Sequence, residues 1–222
     1  ISVLAGMLLP ALERARELAV QTACMSNCRQ QYLALSQYND DFGGWFPFAS
    51  PSYPVPTASW CWQIHQYLDF SWARGDRMPT SGPEIFYCPG AKKETHFSWS
   101  KTFQLLSYGL NRYIIDLDYC SLLGLNMNIA NIRNPSKILL LADLEYYHTA
   151  IPEFPDGSNA STVVCDHSWN ANSFTTYLPQ RFAYRHLDSC NFIYVSGSVM
   201  QKRNRGDGFP PDFQFYEGSA LY

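Results

Sequence analysis

The feature that most constrains this chain is its first forty-one residues, which read as one long helix with two unlike halves. Ile1 to Leu12 (ISVLAGMLLPAL) carries no charge and one polar side chain, Ser2. From Glu13 the pattern turns amphipathic (ERARELAVQTACMSNCRQQYLALSQYNDD), with Leu12, Ala15, Ala19, Ala23, Tyr32 and Leu35 near helical spacing and charges interleaved. This predicts a helix from the start of the chain to about Tyr38. Pro10 lies inside it, where it removes a backbone donor and kinks the helix rather than ending it, because good helix formers stand on both sides. Asn39, Asp40, Asp41, Gly43 and Gly44 then stop it. The uncharged run falls short of the ~20 residues needed to span a bilayer. Because it starts at the first residue, it reads as the end of a longer apolar segment. The alternative is an ordinary N-terminal core helix. A signal peptide fits less well, since the apolar run continues into the amphipathic part without a small-residue cleavage site.

The remainder is long enough for a buried core without staples. With 222 residues the chain divides into the helix, 1–41, and a single head, 42–222. Sixteen basic against nineteen acidic side chains give a net charge of -3, which is no electrostatic footprint for nucleic acid. Apolar residues at 46% exclude a disordered chain, and 16% aromatics suit large half-wet surfaces of an extracytoplasmic kind. Seven cysteines are many for a cytosolic domain and lack a paired CxxC zinc pattern. Disulfides are therefore candidates, with at least one thiol left free.

Phe46 to Ser59 is rich in Pro and Ser, and Pro51, Pro54 and Pro56 make it a surface loop. Ser59 can cap a short helix from Trp60 to about Phe70, whose Trp60, Ile64, Tyr67 and Leu68 share a face that packs on the sheet. Beyond Glu84, β-prone runs alternate with turn signals: IFYC, SYGLN, YIIDLD, KILLLAD, STVVC, RFAYR, NFIYVS and SVMQK. Without a βαβ alternation these predict a mainly antiparallel sheet. The fold class is α+β: a long kinked N-terminal helix on that sheet, with an inserted short helix and long loops. VSGS at 195–198 is a tight turn in which Gly197 supplies a positive φ, and His186 beside Arg185 orients the hairpin as a structural histidine.

Several of these segments together resemble a known family. LAGMLLPALERAR followed by CMSNCRQQYLALSQYNDDFGGWFP is similar to the start of bacterial proteins with a prepilin-type N-terminal cleavage and methylation segment. These form the type II secretion pseudopilin-like group, similar to general secretion pathway protein G. Pro10, Ala11, Leu12, Ala15, Arg16, Glu17, Cys24, Asn27, Gln30, Leu35, Tyr38, Asp40, Asp41, Gly44, Phe46 and Pro47 fall on the pattern. Phe86, Cys88 and Pro89, then Tyr108, Gly109 and Asn111, resemble its F-x-CP and Y-x-x-N stations. IRNPSKILLLAD at 132–143 is nearly its I-x-NPSK-x-LLAD segment, and Arg185, His186, Asn191, Gly197 and Val199 match its C-terminal hairpin. Ser196 stands where the family usually has Asp, and Ser198 where it often has His.

The resemblance implies a pilin-like fold and a structural, non-enzymatic subunit of a type II secretion or type IV pilus-like system. It implies about a dozen further mature residues ahead of Ile1, an inner-membrane anchor with a single pass, and a head that is periplasmic or on the cell surface. The partners implied are like subunits and other secretion-system components. Leu4, Met7, Leu8, Leu9, Pro10 and Leu12 would form the assembly helix, and a disulfide would join Cys24 to Cys88. His186, Asn191 and Gly197 belong to the structural hairpin.

Other chemistry is thinly supported. Cys165, Asp166 and His167 are the parts of an activated nucleophile, but adjacent strand residues point to opposite faces and triads assemble from distant positions. His65, His96, His148, His167 and His186 lack HExxH or Hx3H spacing, so the sequence assigns no metal ligand. Calcium is a candidate through Asp207 and Asp212 or Asp116 and Asp118, without EF-hand spacing. Cys24 and Cys28 share a helix face and would strain the helix if bridged to each other; Cys61, Cys120, Cys165 and Cys190 are unassigned. Trp45, Trp60, Trp62, Trp72, Trp99 and Trp169 suggest an alternative function, a surface-displayed carbohydrate-binding module that stacks sugar rings on tryptophan.

Overall fold

The computed structural model describes residues 2–47, 60–68, 84–91, 107–111, 114, 128–143 and 183–203. Helix α1 spans Ser2–Asp41 and helix α2 Trp60–Ile64, the latter prolonged by a 3₁₀ turn at His65–Tyr67. Further 3₁₀ turns lie at Glu84–Phe86 and Ile129–Asn131. Strands β1 (Tyr108–Leu110), β2 (Leu139–Asp143), β3 (Ser189–Tyr194) and β4 (Val199–Arg203) form a four-stranded sheet in that order. Every neighbouring pair is antiparallel, so the fold is α+β, as the sequence predicts.

One helix continues through Pro10. It ends in a Schellman cap: Gly43, at φ +61°, turns the chain so that the Gly44 N–H donates to the Asn39 carbonyl at 2.6 Å. The helix packs by its second half only. Gln21, Cys24, Cys28, Gln31, Leu35 and Tyr38 are buried, stepping by alternate threes and fours along one face, whereas residues 6–19 are exposed. Of the residues the periodicity picks out, Leu35 is buried and Tyr32 half-buried, but Leu12, Ala15, Ala19 and Ala23 are all exposed. The reason is that four of the six residues on that packed face, Gln21, Cys24, Cys28 and Gln31, are polar or thiol-bearing. Gln31 Nε2 donates to the Ile85 carbonyl at 2.7 Å, and the neighbouring Asn27 Nδ2 donates to the Tyr87 carbonyl at 3.1 Å.

Those two bonds also explain why Ile85–Cys88 is not the strand its β-prone residues predict. Its carbonyls are taken by α1 side chains, the Phe86 carbonyl accepts from Ser107 N–H at 3.0 Å, and Pro89 brings no donor with which to continue a ladder. The short helix likewise packs mainly on α1 rather than on the sheet. Trp60, Cys61, Ile64 and Leu68 are buried there, Trp60 meets Phe86 edge to face at 5.6 Å, and Tyr67 Oη donates to Asp41 Oδ2 at 2.7 Å. Phe46, at the start of the Pro-rich stretch, is a core residue rather than part of a surface loop.

Strands β1, β2 and β3 are buried along their whole length, while β4 is partly exposed. A register irregularity between Leu139 and Leu141 sets the pairing of β2 with β3, after which Ala142 faces Phe192. One step further along that register, Asp143 lies beside Asn191. On its other side Asp143 pairs with Tyr108. The bulge therefore sets a row Tyr108, Asp143, Asn191 across three strands.

Candidate functional site

Helix α1 lays Cys24 directly over that row. Its sulfur lies 3.2 Å from Tyr108 Oη, donates to Asp143 Oδ1 at 3.1 Å and accepts from Asn191 Nδ2 at 3.3 Å. Asn191 also holds the second carboxylate oxygen, donating to Asp143 Oδ2 from its backbone N–H at 3.1 Å and from Nδ2 at 2.9 Å.

Two more donors reach the same point from loops. Cys88 follows the Glu84–Phe86 turn, and its sulfur lies 3.2 Å from His186 Nε2. His186 Nε2 is in turn 3.9 Å from Asp143 Oδ2. His186 is fixed by a two-residue hairpin. Its carbonyl accepts from Ser189 N–H at 3.0 Å, its own N–H donates to the Ser189 carbonyl at 3.2 Å, and Leu187 and Asp188 both have positive φ, 51° and 59°. That is the type I′ arrangement, and holding a leucine there stores about 1–2 kcal/mol of backbone strain beside the site. Gly90 leaves the room the imidazole needs: a Cβ on it would stand 3.3 Å from His186 Cε1 and 3.7 Å from Cys88 Sγ.

The result is four donors, two thiols, one carboxyl and one imidazole, all buried and all within 4.8 Å of one another. Burial and crowding shift the acid–base balance of these groups together. Burial above all raises the Asp143 carboxyl, against the opposing effects of Arg185, the Cys24 hydrogen bond and His186. The hydrogen bond with Cys28, and then burial, raise the Cys24 thiol, against the bond with Cys88. The bond with Cys24, then burial, raise Cys88. Burial pushes the Cys28 thiol up to about 11 and also raises Cys190. For His186 burial acts downward, but its bond to Cys88 and the charges of Cys88 and Asp143 outweigh it, leaving the imidazole above its ordinary value.

The sequence assigns no metal ligand; the fold brings side chains from four separate segments together in a set that could hold a metal ion. His186 does sit in a hairpin, yet its ring faces Cys88 and Asp143 rather than the turn at 195–198. Asn191 is buried in β3. Gly197 has φ +81° in the turn expected of it, where its N–H donates to the Tyr194 carbonyl at 2.8 Å. Cys24 and Cys88, which the resemblance pairs in a disulfide, lie within 4.8 Å of each other as free thiols. Cys28 and Cys190 are also buried free thiols, and Cys61 is buried.

Of the assembly-helix residues, Met7, Leu8, Leu9 and Leu12 are 73%, 65%, 58% and 69% exposed. Pro10 is exposed among them, and Leu4 lies in α1 with its side chain outside the description. Among the described residues no helix is long and apolar enough to cross a membrane. Trp60 is wholly buried and offers no face to a sugar, while Trp45 is half exposed and bridges to Asn128. The Trp62 side chain, Trp72, Trp99, Trp169, His96, His148, Cys120, Cys165, Asp166, His167 and the carboxylates Asp116, Asp118, Asp207 and Asp212 lie outside the described residues.

No family model, no curated protein and no solved structure matches the chain. Cys24, Cys88, Asp143 and His186 come from segments far apart in the chain, and the fold gathers them at one point.

Proposed function

We propose that the chain is a pilin-like structural subunit rather than an enzyme, and that it assembles with like subunits through α1 in a type II secretion or type IV pilus-like system. The observation that carries this reading is the helix divided against itself. Its second half is locked into the head, while residues 6–19 touch nothing that buries them. The tip of that arm is uncharged up to Glu13. Met7, Leu8, Leu9 and Leu12 spread around more than one side of the helix, as on a helix meant to be surrounded by apolar matter rather than laid on one surface. Full burial of each of these side chains is worth about 1.5–3 kcal/mol. An apolar face buried first in lipid and then among neighbouring helices uses that energy twice, and Pro10 gives the helix a bending point between the two settings.

The test is site-specific photo-crosslinking in the native bacterium, with a benzoylphenylalanine probe at Leu9 and, as a control, at Leu33 on the half attached to the head. A ladder of adducts with copies of the chain or with related small subunits from Leu9 alone supports assembly through the arm. Equal labelling from both positions, or none from Leu9, rejects it.

A further inference from the structure

We propose that Cys24, Cys88, Asp143 and His186 bind one zinc ion in a closed, structural site that fastens α1 to the sheet. This is independent of the assembly reading above, since it concerns how the buried half of α1 is held to the head and not the exposed arm. A tetrahedral zinc ion with bonds of about 2.0–2.3 Å sets its ligand atoms about 3.3–3.8 Å apart. The paired atoms here stand at 3.1, 3.2 and 3.9 Å, with none beyond 4.8 Å, so small side-chain rotations reach the tetrahedron without moving the backbone. The donor chemistry selects the metal. Two sulfurs and an imidazole suit zinc and are poor ligands for magnesium or calcium, which take oxygen.

The surroundings are those of a site built to hold its ligands still. Tyr108 Oη and Asn191 Nδ2 point hydrogen-bonding groups at the Cys24 sulfur, and Asn191 grips the Asp143 oxygen. Such outer contacts orient ligands and favour the anionic form that binds metal. All four donors are buried, leaving no open position for substrate, which is the arrangement of a structural rather than a catalytic centre. On binding, the two thiols and the Asp143 carboxyl lose their protons to solvent, and each sulfur, one Asp143 oxygen and the neutral His186 ring nitrogen form one bond apiece to the metal; no electron is transferred. The ligands come from α1, the 84–91 segment, the end of β2 and the hairpin before β3, so one ion ties four segments distant in sequence.

The experiment is metal titration of the reduced full chain, with cobalt(II) as a spectroscopic probe and zinc(II) in competition with a chelator. The expected result is one metal per chain, with the intense visible bands and thiolate charge-transfer absorption of tetrahedral cobalt, and a lower thermal midpoint when the metal is stripped. Cys88→Ser and His186→Ala should lose the spectrum, and Asn191→Ala should weaken zinc binding about 10–100-fold. Cys61→Ser, which removes a buried thiol of α2 outside the four, should keep it. Wild type requires no variant to fold, so it decides alone. Folded, reduced wild type that retains no zinc at equimolar metal, or gives an octahedral cobalt spectrum, overturns the proposal. So does a Cys24–Cys88 disulfide in protein trapped directly from its native compartment.

Discussion

Asn191 holds Asp143 with two donors at once, its backbone N–H at 3.1 Å and its Nδ2 at 2.9 Å from the same carboxylate oxygen. Both residues are fully buried, so the pair is what makes a carboxyl tolerable at the centre of the sheet. Asn191→Ala removes the amide bonds to Asp143 and Cys24 and leaves their partners without replacement by water. In metal-free protein it should cost about 2–3 kcal/mol, read as a lower urea midpoint with an unchanged slope. An unaltered midpoint would show that the row across the sheet is not what satisfies Asp143.

Much of this arrangement was legible in the chain and the rest was hidden for a physical reason. The long helix, its Gly43–Gly44 stop, the short helix at Trp60 and the strands containing Tyr108, Leu140, Phe192 and Met200 follow from local periodicity and turn chemistry. The packed face of α1 does not, because Gln21, Cys24, Cys28 and Gln31 stand where a hydrophobic stripe is sought. Nor does the site, whose contacts join Cys24 to Asp143 across 119 residues and Cys88 to His186 across 98. No spacing rule covers such separations. A lone Asp closing the apolar run ILLLAD was the local hint, since a carboxyl at the end of a buried strand needs partners from elsewhere.

The cap at the end of α1 separates two glycine effects. Gly43 has φ +61° and open space around its absent Cβ, whereas at Gly44, φ +88°, a Cβ would stand 2.8 Å from Asn128 Oδ1. Gly43→Ala should therefore cost only the backbone strain, about 1 kcal/mol. Gly44→Ala should cost about 2–3 kcal/mol, because it also displaces an Asn128 side chain that donates to the Gly43 carbonyl at 2.8 Å and accepts from Ala130 N–H at 2.9 Å. Denaturant unfolding of both variants in wild-type and Asn128→Gly backgrounds checks this: the excess at Gly44 should disappear when Asn128 is gone.

At the β3–β4 turn the helix itself enforces glycine. A Cβ on Gly197 would come within 2.6 Å of the Tyr32 ring, whose hydroxyl donates to the Val195 carbonyl at 3.3 Å. Gly197→Ala should destabilise by about 2–4 kcal/mol. In a double-mutant cycle with Tyr32→Ala, a coupling of about 1 kcal/mol or more is expected. Additive losses would mean that the turn and the helix do not press on one another.

The arm should be dispensable for the head. Leu8→Asp and Leu12→Asp alter side chains that are 65% and 69% exposed, so each should shift the unfolding free energy of the isolated chain by no more than about 0.5 kcal/mol. In the bacterium the same changes should abolish crosslinking from Leu9. A large loss of head stability would place the arm in the fold rather than in an assembly.

The most direct measurement for the assembly account is the mass of the N-terminal peptide of the native protein, recovered from bacterial membrane and sheared-surface fractions. The account predicts an apolar, N-methylated terminus ahead of Ile1, the product of prepilin processing. An unmethylated chain beginning near Ile1 in a soluble fraction would contradict it.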